Sequence, residues 1–275
     1  YDVDGLQSMS ANLSAHYALA NDIDASETST WNGGKGFMPI GNISAKFTGS
    51  LDGRGYNISD LFINRSNTDY VGLFGYIDGG SVSNVGLLNL SITGKECVGG
   101  LVGLNNGGST VNNSYSIGYV SGTSSVGGLV GYNYCSTVNI SHATVSVDGS
   151  NAVGGLVGVT NTSSISNSYA TGNVSGTGTA VGGFVGYNYY YSTVNNSYAT
   201  GNVSSDSDAI GGLVGYNYYY STVNNSYATG YVIGGDWVGG LVGYNCFSGT
   251  VNNSYATGNV IGGESVGGLV GWNAY

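Results

Sequence analysis

The hexapeptide Val-Gly-Gly-Leu-Val-Gly, or a close variant of it, recurs at a near-constant interval, and that interval restricts the chain to one kind of architecture. Copies start at Val98, Val126, Val153, Val181, Ile210, Val238 and Val266. A worn copy, Val71-Gly72-Leu73-Phe74-Gly75, precedes them, and the copy at Val181 carries Phe184 in place of Leu. From Val71 onward the steps are 27, 28, 27, 28, 29, 28 and 28 residues. Repeats this regular build a stack of near-identical units, each burying its apolar side on its neighbours.

Each unit divides into three short runs rich in Val, Tyr and Thr, the residues that pleated strands prefer. In the unit at Val181 the runs are 183–188, 193–199 and 201–204. They are too short for helices and show no 3.6-residue period. The expected fold is all-β: a parallel, right-handed β-helix of about 28 residues and three short strands per coil, with an N-terminal capping region. Residues 1–70 are expected to hold the cap and irregular first coils, with a short helix within 4–17 and strands around 17–23, 37–40, 47–51 and 56–63. Residues 71–275 form one continuous repeat solenoid. Tyr1 in place of an initiator Met reads as a processed or cut chain, and the last coil, ending at Tyr275, reads as bare.

Stacked coils turn equivalent positions into columns spaced by ~4.8 Å. Seven residues after each repeat start stands Asn105, Asn133, Asn188, Asn217, Asn245 or Asn273, with Thr160 the exception. Stacked Asn side chains can hydrogen-bond along a column. Beside it runs a ring column of Tyr132, Tyr187, Tyr216, Tyr244 and Trp272, interrupted by Leu104 and Val159. A second ring column holds Tyr115, His142, Tyr169, Tyr198, Tyr227 and Tyr255. Whether Leu101 or Val102 points inward is open at this level.

The composition narrows the partners. Only 7% of residues are charged, and the net charge is −10 with five Lys and Arg, so no basic patch is offered to nucleic acid or to anionic lipid. No apolar run approaches the ~20 residues of a membrane span, so membrane insertion is not expected. Polarity falls to Asn, Ser, Thr and 24 Tyr. Asn-X-Ser/Thr sequons recur, among them those at Asn112, Asn139, Asn195, Asn224 and Asn252, which makes these asparagines glycosylation candidates of an exported protein.

Reactive chemistry is sparse, and the chain is not expected to be an enzyme. His16 and His142 stand in no metal motif, and His142 replaces a ring in a tyrosine column. Two residues before the repeat starts, Asp208, Asp236 and Glu264 would stack on successive coils. Like charges ~5 Å apart repel by roughly 1 kcal/mol in water, and a bound cation such as Ca²⁺ would reverse that cost. The favoured alternative is a solvated edge without metal. Cys97, Cys135 and Cys246 are out of phase or too many coils apart to pair internally, which leaves free thiols or intermolecular disulfides. Tyr189-Tyr190-Tyr191 and Tyr218-Tyr219-Tyr220, with Phe247 in a related place, are the surface or assembly candidates. By strand alternation at least one ring of three faces outward.

The stretch Val-Gly-Gly-Leu-Val-Gly-Tyr-Asn, with the following Asn-Ser-Tyr-Ala-Thr-Gly-Asn-Val, resembles the GLUG-motif repeat family. Residues 19–24, 36–41 and 47–53 resemble the segment that commonly precedes such repeats. The resemblance implies a secreted or cell-surface scaffold of adhesin-like type, and a likeness to the non-catalytic region of immunoglobulin A endopeptidases; no catalytic residue comes with it. The combined expectation is an extracellular structural protein whose partners are copies of itself, in a surface layer, sheath or filament. The alternative is an adhesin or carbohydrate-binding stalk that presents a Tyr/Asn face to glycans.

Overall fold

In the computed structural model, which describes residues 2–274, the chain winds into a parallel β-solenoid of about eight turns, ~28 residues each. The readings made of Tyr1 and Tyr275 fall outside the described residues. Every strand pair between coils is parallel and joins repeat equivalents, for example Val181 with Ile210, Tyr187 with Tyr216, Asn195 with Asn224 and Tyr198 with Tyr227.

The expectation of three strands per coil is corrected to five. In the coil at Val181 these are Val181–Gly182, Val185–Tyr189, Thr193–Asn195, Tyr198–Ala199 and Val203–Ser205. Among the described residues they assemble into sheets of seven, eight, nine and fourteen strands, the last two strands of the coil sharing the largest sheet. The reason is local. Single residues in the left-handed region, such as Ala180, Asn196 and their equivalents Ala209 and Asn225, bend the chain where the sequence pattern runs on as β. Stacking repays the strain of those corners, because a corner held at the same angle on every coil keeps its backbone groups paired with the next.

The hexapeptide makes a further bend. Val126 and Gly127 end the seven-stranded sheet and Val130 starts the eight-stranded one. Val126, Leu129 and Val130 are all fully buried, so the open question about Leu101 and Val102 resolves to both, which are buried too. The glycines are there because backbones meet. A Cβ on Gly128 would strike the Gly155 carbonyl of the following coil, and one on Gly131 the Cys97–Val98 peptide of the preceding coil. Each hexapeptide therefore locks three successive coils.

Inside, one continuous core of Val, Leu, Ile and Phe runs the length of the solenoid. Polar ladders flank it. Asn188, Asn217, Asn245 and Asn273 hydrogen-bond in series, each Nδ2 donating to the next Oδ1 at 2.7 Å. Ser114, Ser141, Ser168, Ser197, Ser226 and Ser254 form another ladder, in which each backbone N–H donates to the next hydroxyl at 3.1–3.3 Å.

At the N-terminus a helix spans Val3–Ser8, capped by the Asp2 carboxylate accepting from the Gly5 N–H. Val3, Leu6 and Met9 are buried at three-residue spacing, so one stripe faces the solenoid. Leu6 and Met9 border a small cavity with Leu19 and Ile23 of the first coil and Leu51 of the second, so the helix covers the end of the core. Short strands follow at His16–Ala18, Ile23–Asp24, Ser50–Asp52, Asn57–Ser59 and Phe62–Asn64.

Candidate functional site

The most distinctive outer feature is a ledge of rings at one corner, after the eight-stranded sheet. On the coils at Val126 and Val153 this corner turns with one left-handed residue, Cys135 or Thr162. On the coils at Val181 and Ile210 it takes two, Tyr190-Tyr191 and Tyr219-Tyr220, and on the next coil Phe247-Ser248. A two-residue left-handed corner pushes its side chains away from the coil. The exposed rings are Tyr190 at 40%, Tyr191 at 58%, Tyr220 at 51% and Phe247 at 46%. Tyr219 is half-buried, and Tyr189 and Tyr218 close the preceding strand, also half-buried. Strand alternation was thus the wrong reason for exposure: the corner conformation exposes the rings.

The ledge is ordered by stacking. Tyr190 lies on Tyr219 with centroids 4.7 Å apart and planes 4° off parallel, and Tyr191 on Tyr220 at 5.2 Å and 4°. Tyr218 meets Phe247 at 4.9 Å. Each such pair contributes ~0.5–1.5 kcal/mol beyond its burial, so the outward faces are held in place before any partner arrives.

The other ring columns form as the spacing predicts. His142 is sandwiched between Tyr115 and Tyr169 at 4.8 and 4.5 Å, and the burial of its ring lowers its pKa. Tyr187 and Tyr216 stack at 4.9 Å, and desolvation raises both phenol pKa values, that of Tyr216 to about 12.

Asp208, Asp236 and Glu264 do line up on successive coils, with a role the charge argument missed. The Asp236 N–H donates to Asp208 Oδ1 at 3.1 Å, and the Glu264 N–H to Asp236 Oδ1 at 2.7 Å. Two of the carboxylates are thus spent as acceptors for corner N–H groups, as is the Asn151 side chain toward the Thr179 N–H. Among the described residues no group of three or more His, Cys, Asp or Glu gathers around a common point.

The recurrent sequons also have a structural origin. In each of those at Asn112, Asn139, Asn195, Asn224 and Asn252, the Asn ends a strand, the middle residue makes a left-handed corner, and the Ser hydroxyl donates back to the Asn carbonyl at 2.7–2.9 Å. Several of these carboxamides pair between coils, Asn139 with Asn112 and Asn252 with Asn224, both at 3.1 Å. The Asn-X-Ser pattern repeats because this corner does.

The cysteines separate by burial. All three are free. Cys246 is fully buried and its thiol is raised to about 11, so of the two readings left open for it, free thiol or intermolecular disulfide, the burial fits the free thiol and counts against the disulfide candidate. Cys97 is half-buried at a corner, and desolvation pushes it up to about 12. Cys135 alone is exposed.

Comparison with known proteins agrees with this geometry. The GLUG motif is matched at residues 149–175, 177–204 and 206–233. The chain carries GLUG repeats. Halomucin of Haloquadratum walsbyi is 48% identical over 104 residues, which is 36% of this chain and 1% of that protein. A Gly-rich membrane protein of Evansella cellulosilytica is 42% identical over 79 residues, 29% of this chain and 9% of that one. The chain therefore corresponds to a small part of the relatives it matches. Among solved structures, a Bacteroides ovatus chain named for an immunoglobulin A1 protease superposes with a TM-score of 0.72 at 24% identity, covering 98% of this chain and 83% of that one. A structure titled IgA1 Protease superposes at 0.74 and 20% identity, over 94% of this chain and 21% of that one. At these identities the two structures share the solenoid fold with it.

Proposed function

We propose that this chain is a rigid rod-like segment of an extracellular, cell-surface protein, and that it associates side by side with copies of itself into a layer, sheath or filament. The observation that carries the reading is the ring ledge: pre-stacked exposed tyrosines on successive coils, within stretches (149–205 and 209–235) that hold no charged residue. An aromatic patch ordered in the free molecule forfeits little side-chain entropy on docking. The surface setting is supported by the GLUG repeats and by a relative whose name places it at a membrane. Cys135, exposed at the same corner column two coils before Tyr190, would stand near such a contact.

The test is sedimentation velocity over a wide concentration range, with electron microscopy of the concentrated protein. Concentration-dependent assembly that is lost in Tyr191→Ser/Tyr220→Ser is the expected result. A strictly monomeric wild type at high concentration would refute self-association.

A further inference from the structure

The ring column on the eight-stranded sheet has two gaps, at Leu104 and Val159, and each gap lies in a depression of the surface. The intact column advances by one coil per ring, 4.9 Å from Tyr187 to Tyr216 and again from Tyr216 to Tyr244. Leu104 pairs with Tyr76 on one side and Tyr132 on the other. Its gap therefore opens a slot about 10 Å high between two ring-bearing strands, two strand steps apart. That height admits one further ring between the flanking pair and no more.

With Tyr76 and Tyr132, the slot is lined by Tyr70, Cys97, Leu104, Asn106 and Tyr134. Asn106 is fixed there by its Nδ2, which donates to Asp78 Oδ1 at 3.0 Å. The charges nearby, two lysines against three carboxylates, leave a net −1. Lys46 pairs with Asp78 at 2.9 Å, and Lys95 lies 3.6 Å from Asp69 and 3.4 Å from Glu96. Lys46 also sits 5.1 Å from the centroid of the Tyr76 ring, which braces that wall. The second slot, over Val159, is bordered by Tyr187, Tyr189 and Tyr218, with Ser125 and Ala152 opposite. Tyr132 is the partition between the two gaps, its hydroxyl held by the Asn161 Nδ2 at 3.1 Å.

We infer that these two gaps are binding slots for single neutral pyranose rings, the terminal or branch sugars of a glycan. The chemistry of the slot selects the ligand. A pyranose has apolar C–H faces to lay on tyrosine rings and a rim of hydroxyls. Four tyrosines and Asn106 line the first slot, and a purely aromatic guest would leave unpaired those of their polar atoms that it buries. An acidic sugar would meet a chain of net charge −10, with the local lysines already paired. This inference goes beyond the self-association reading; its slots do not use the exposed Tyr190, Tyr191, Tyr220 or Phe247, although Tyr189 and Tyr218 border both features.

The experiment is saturation-transfer NMR on the full chain, held dilute enough to be monomeric. The probes are the methyl glycosides of glucose, galactose, mannose, N-acetylglucosamine and N-acetylgalactosamine. Binding of at least one in the millimolar range is expected. Leu104→Tyr and Val159→Tyr each supply the residue the column carries on other coils, so both should fold as the wild type by circular dichroism and thermal melting. The double substitution should abolish the transfer, and Tyr132→Ala, which strips a wall, should weaken binding about tenfold. No transfer from any of the five sugars at tens of millimolar would overturn the proposal, as would transfer undiminished in the double variant. If the double variant instead abolishes self-association, the slots receive a second copy's side chain and the sugar assignment falls. Tyr191→Ser/Tyr220→Ser should leave sugar binding intact, so failure of the ledge reading and failure of the slots are distinguishable.

Discussion

Thr160 interrupts the asparagine ladder, and replacing it with Asn should stabilise the solenoid. Thr160 is fully buried and pairs directly with Asn133 on one coil and Asn188 on the next. Its hydroxyl has no hydrogen-bond partner, and neither has the buried Oδ1 of Asn188. On the intact steps the equivalent carboxamides bond at 2.7–2.8 Å. Thr160→Asn, at similar volume, supplies an acceptor for the Asn133 Nδ2 and a donor for Asn188 Oδ1. Two neutral hydrogen bonds are worth about 0.5–1.5 kcal/mol each, and relieving a buried unpaired acceptor adds to that. The lost β-branched side chain returns up to about 1 kcal/mol. A net gain of about 1–2 kcal/mol remains. Urea unfolding followed by circular dichroism should show a higher midpoint at unchanged slope. Because solenoid stability is a sum of neighbour terms, amide exchange at Ser136, Ser163 and Ser192 should slow as well. A lower midpoint, or unchanged exchange at those three amides, would refute the reasoning that the ladder is held by its side-chain bonds.

Three further outcomes are expected. Gly240→Ala places a Cβ against the Gly268 carbonyl of the next coil and should destabilise by more than about 2 kcal/mol, whereas Gly268→Ala, with nothing within 4 Å in this chain, should cost under about 1 kcal/mol; equal midpoint shifts in urea would exclude the coil-locking role of the hexapeptide. Tyr132, Tyr187, Tyr216 and Tyr244 have phenol pKa values raised chiefly by desolvation, so the folded state keeps protons that the unfolded chain has released. Their contribution to stability is complete below the unfolded value of about 10 and is lost as pH rises through the folded values, so absorbance titration at alkaline pH should show a late-ionising class of tyrosines coincident with unfolding. Finally, a thiol reagent at mildly alkaline pH should modify Cys135 rapidly in the native protein and Cys97 and Cys246 only on unfolding, because burial holds the latter two above the reagent's working range; fast labelling of Cys246 would show that the corner opens.

The columns were legible in the sequence because a parallel coil maps a period of ~28 residues directly onto neighbours in space. The Asn and Tyr stacks needed no more than that. The corners were hidden. Left-handed residues are ordinarily flagged by Gly or Asn, but here the same conformation is taken by Ala180, Ile140, Cys135, Trp237 and Tyr191, whose side chains carry no such signal. The stack imposes the conformation, so no single residue announces it. A subtler mark was present. Asn133 and Ser136 are separated by two residues, but Asn188 and Ser192 by three, and that extra residue is the second left-handed corner position that lifts Tyr191 outward. The acid column misled for a related reason. Charge was visible in the sequence, while the corner N–H groups needing acceptors were not.

The same logic says where function resides in such a chain. A residue that matches its column is stabilised by both neighbours, and a residue that departs from it leaves two neighbours with exposed faces or unpaired atoms. Thr160 leaves Asn188 Oδ1 without a donor, and Val159, itself 8% exposed, leaves the column without a ring between Tyr132 and Tyr187. Both departures fall on one coil, which also carries Thr162 in place of an exposed ring. Placing these two departures on one coil confines their joint cost to its two interfaces, while the Leu104 gap stands on a separate coil. That arrangement separates two kinds of surface along one rod: a filled column beside the ring ledge from Tyr187 onward, suited to meeting a flat partner, and a gapped column before it, suited to receiving single rings. If, in a Leu104→Tyr background, the Thr160→Asn and Val159→Tyr substitutions together raise the unfolding midpoint while removing the remaining sugar binding, the lost stability and the Val159 slot are two consequences of the same departures. A rise in midpoint with sugar binding retained would sever that link.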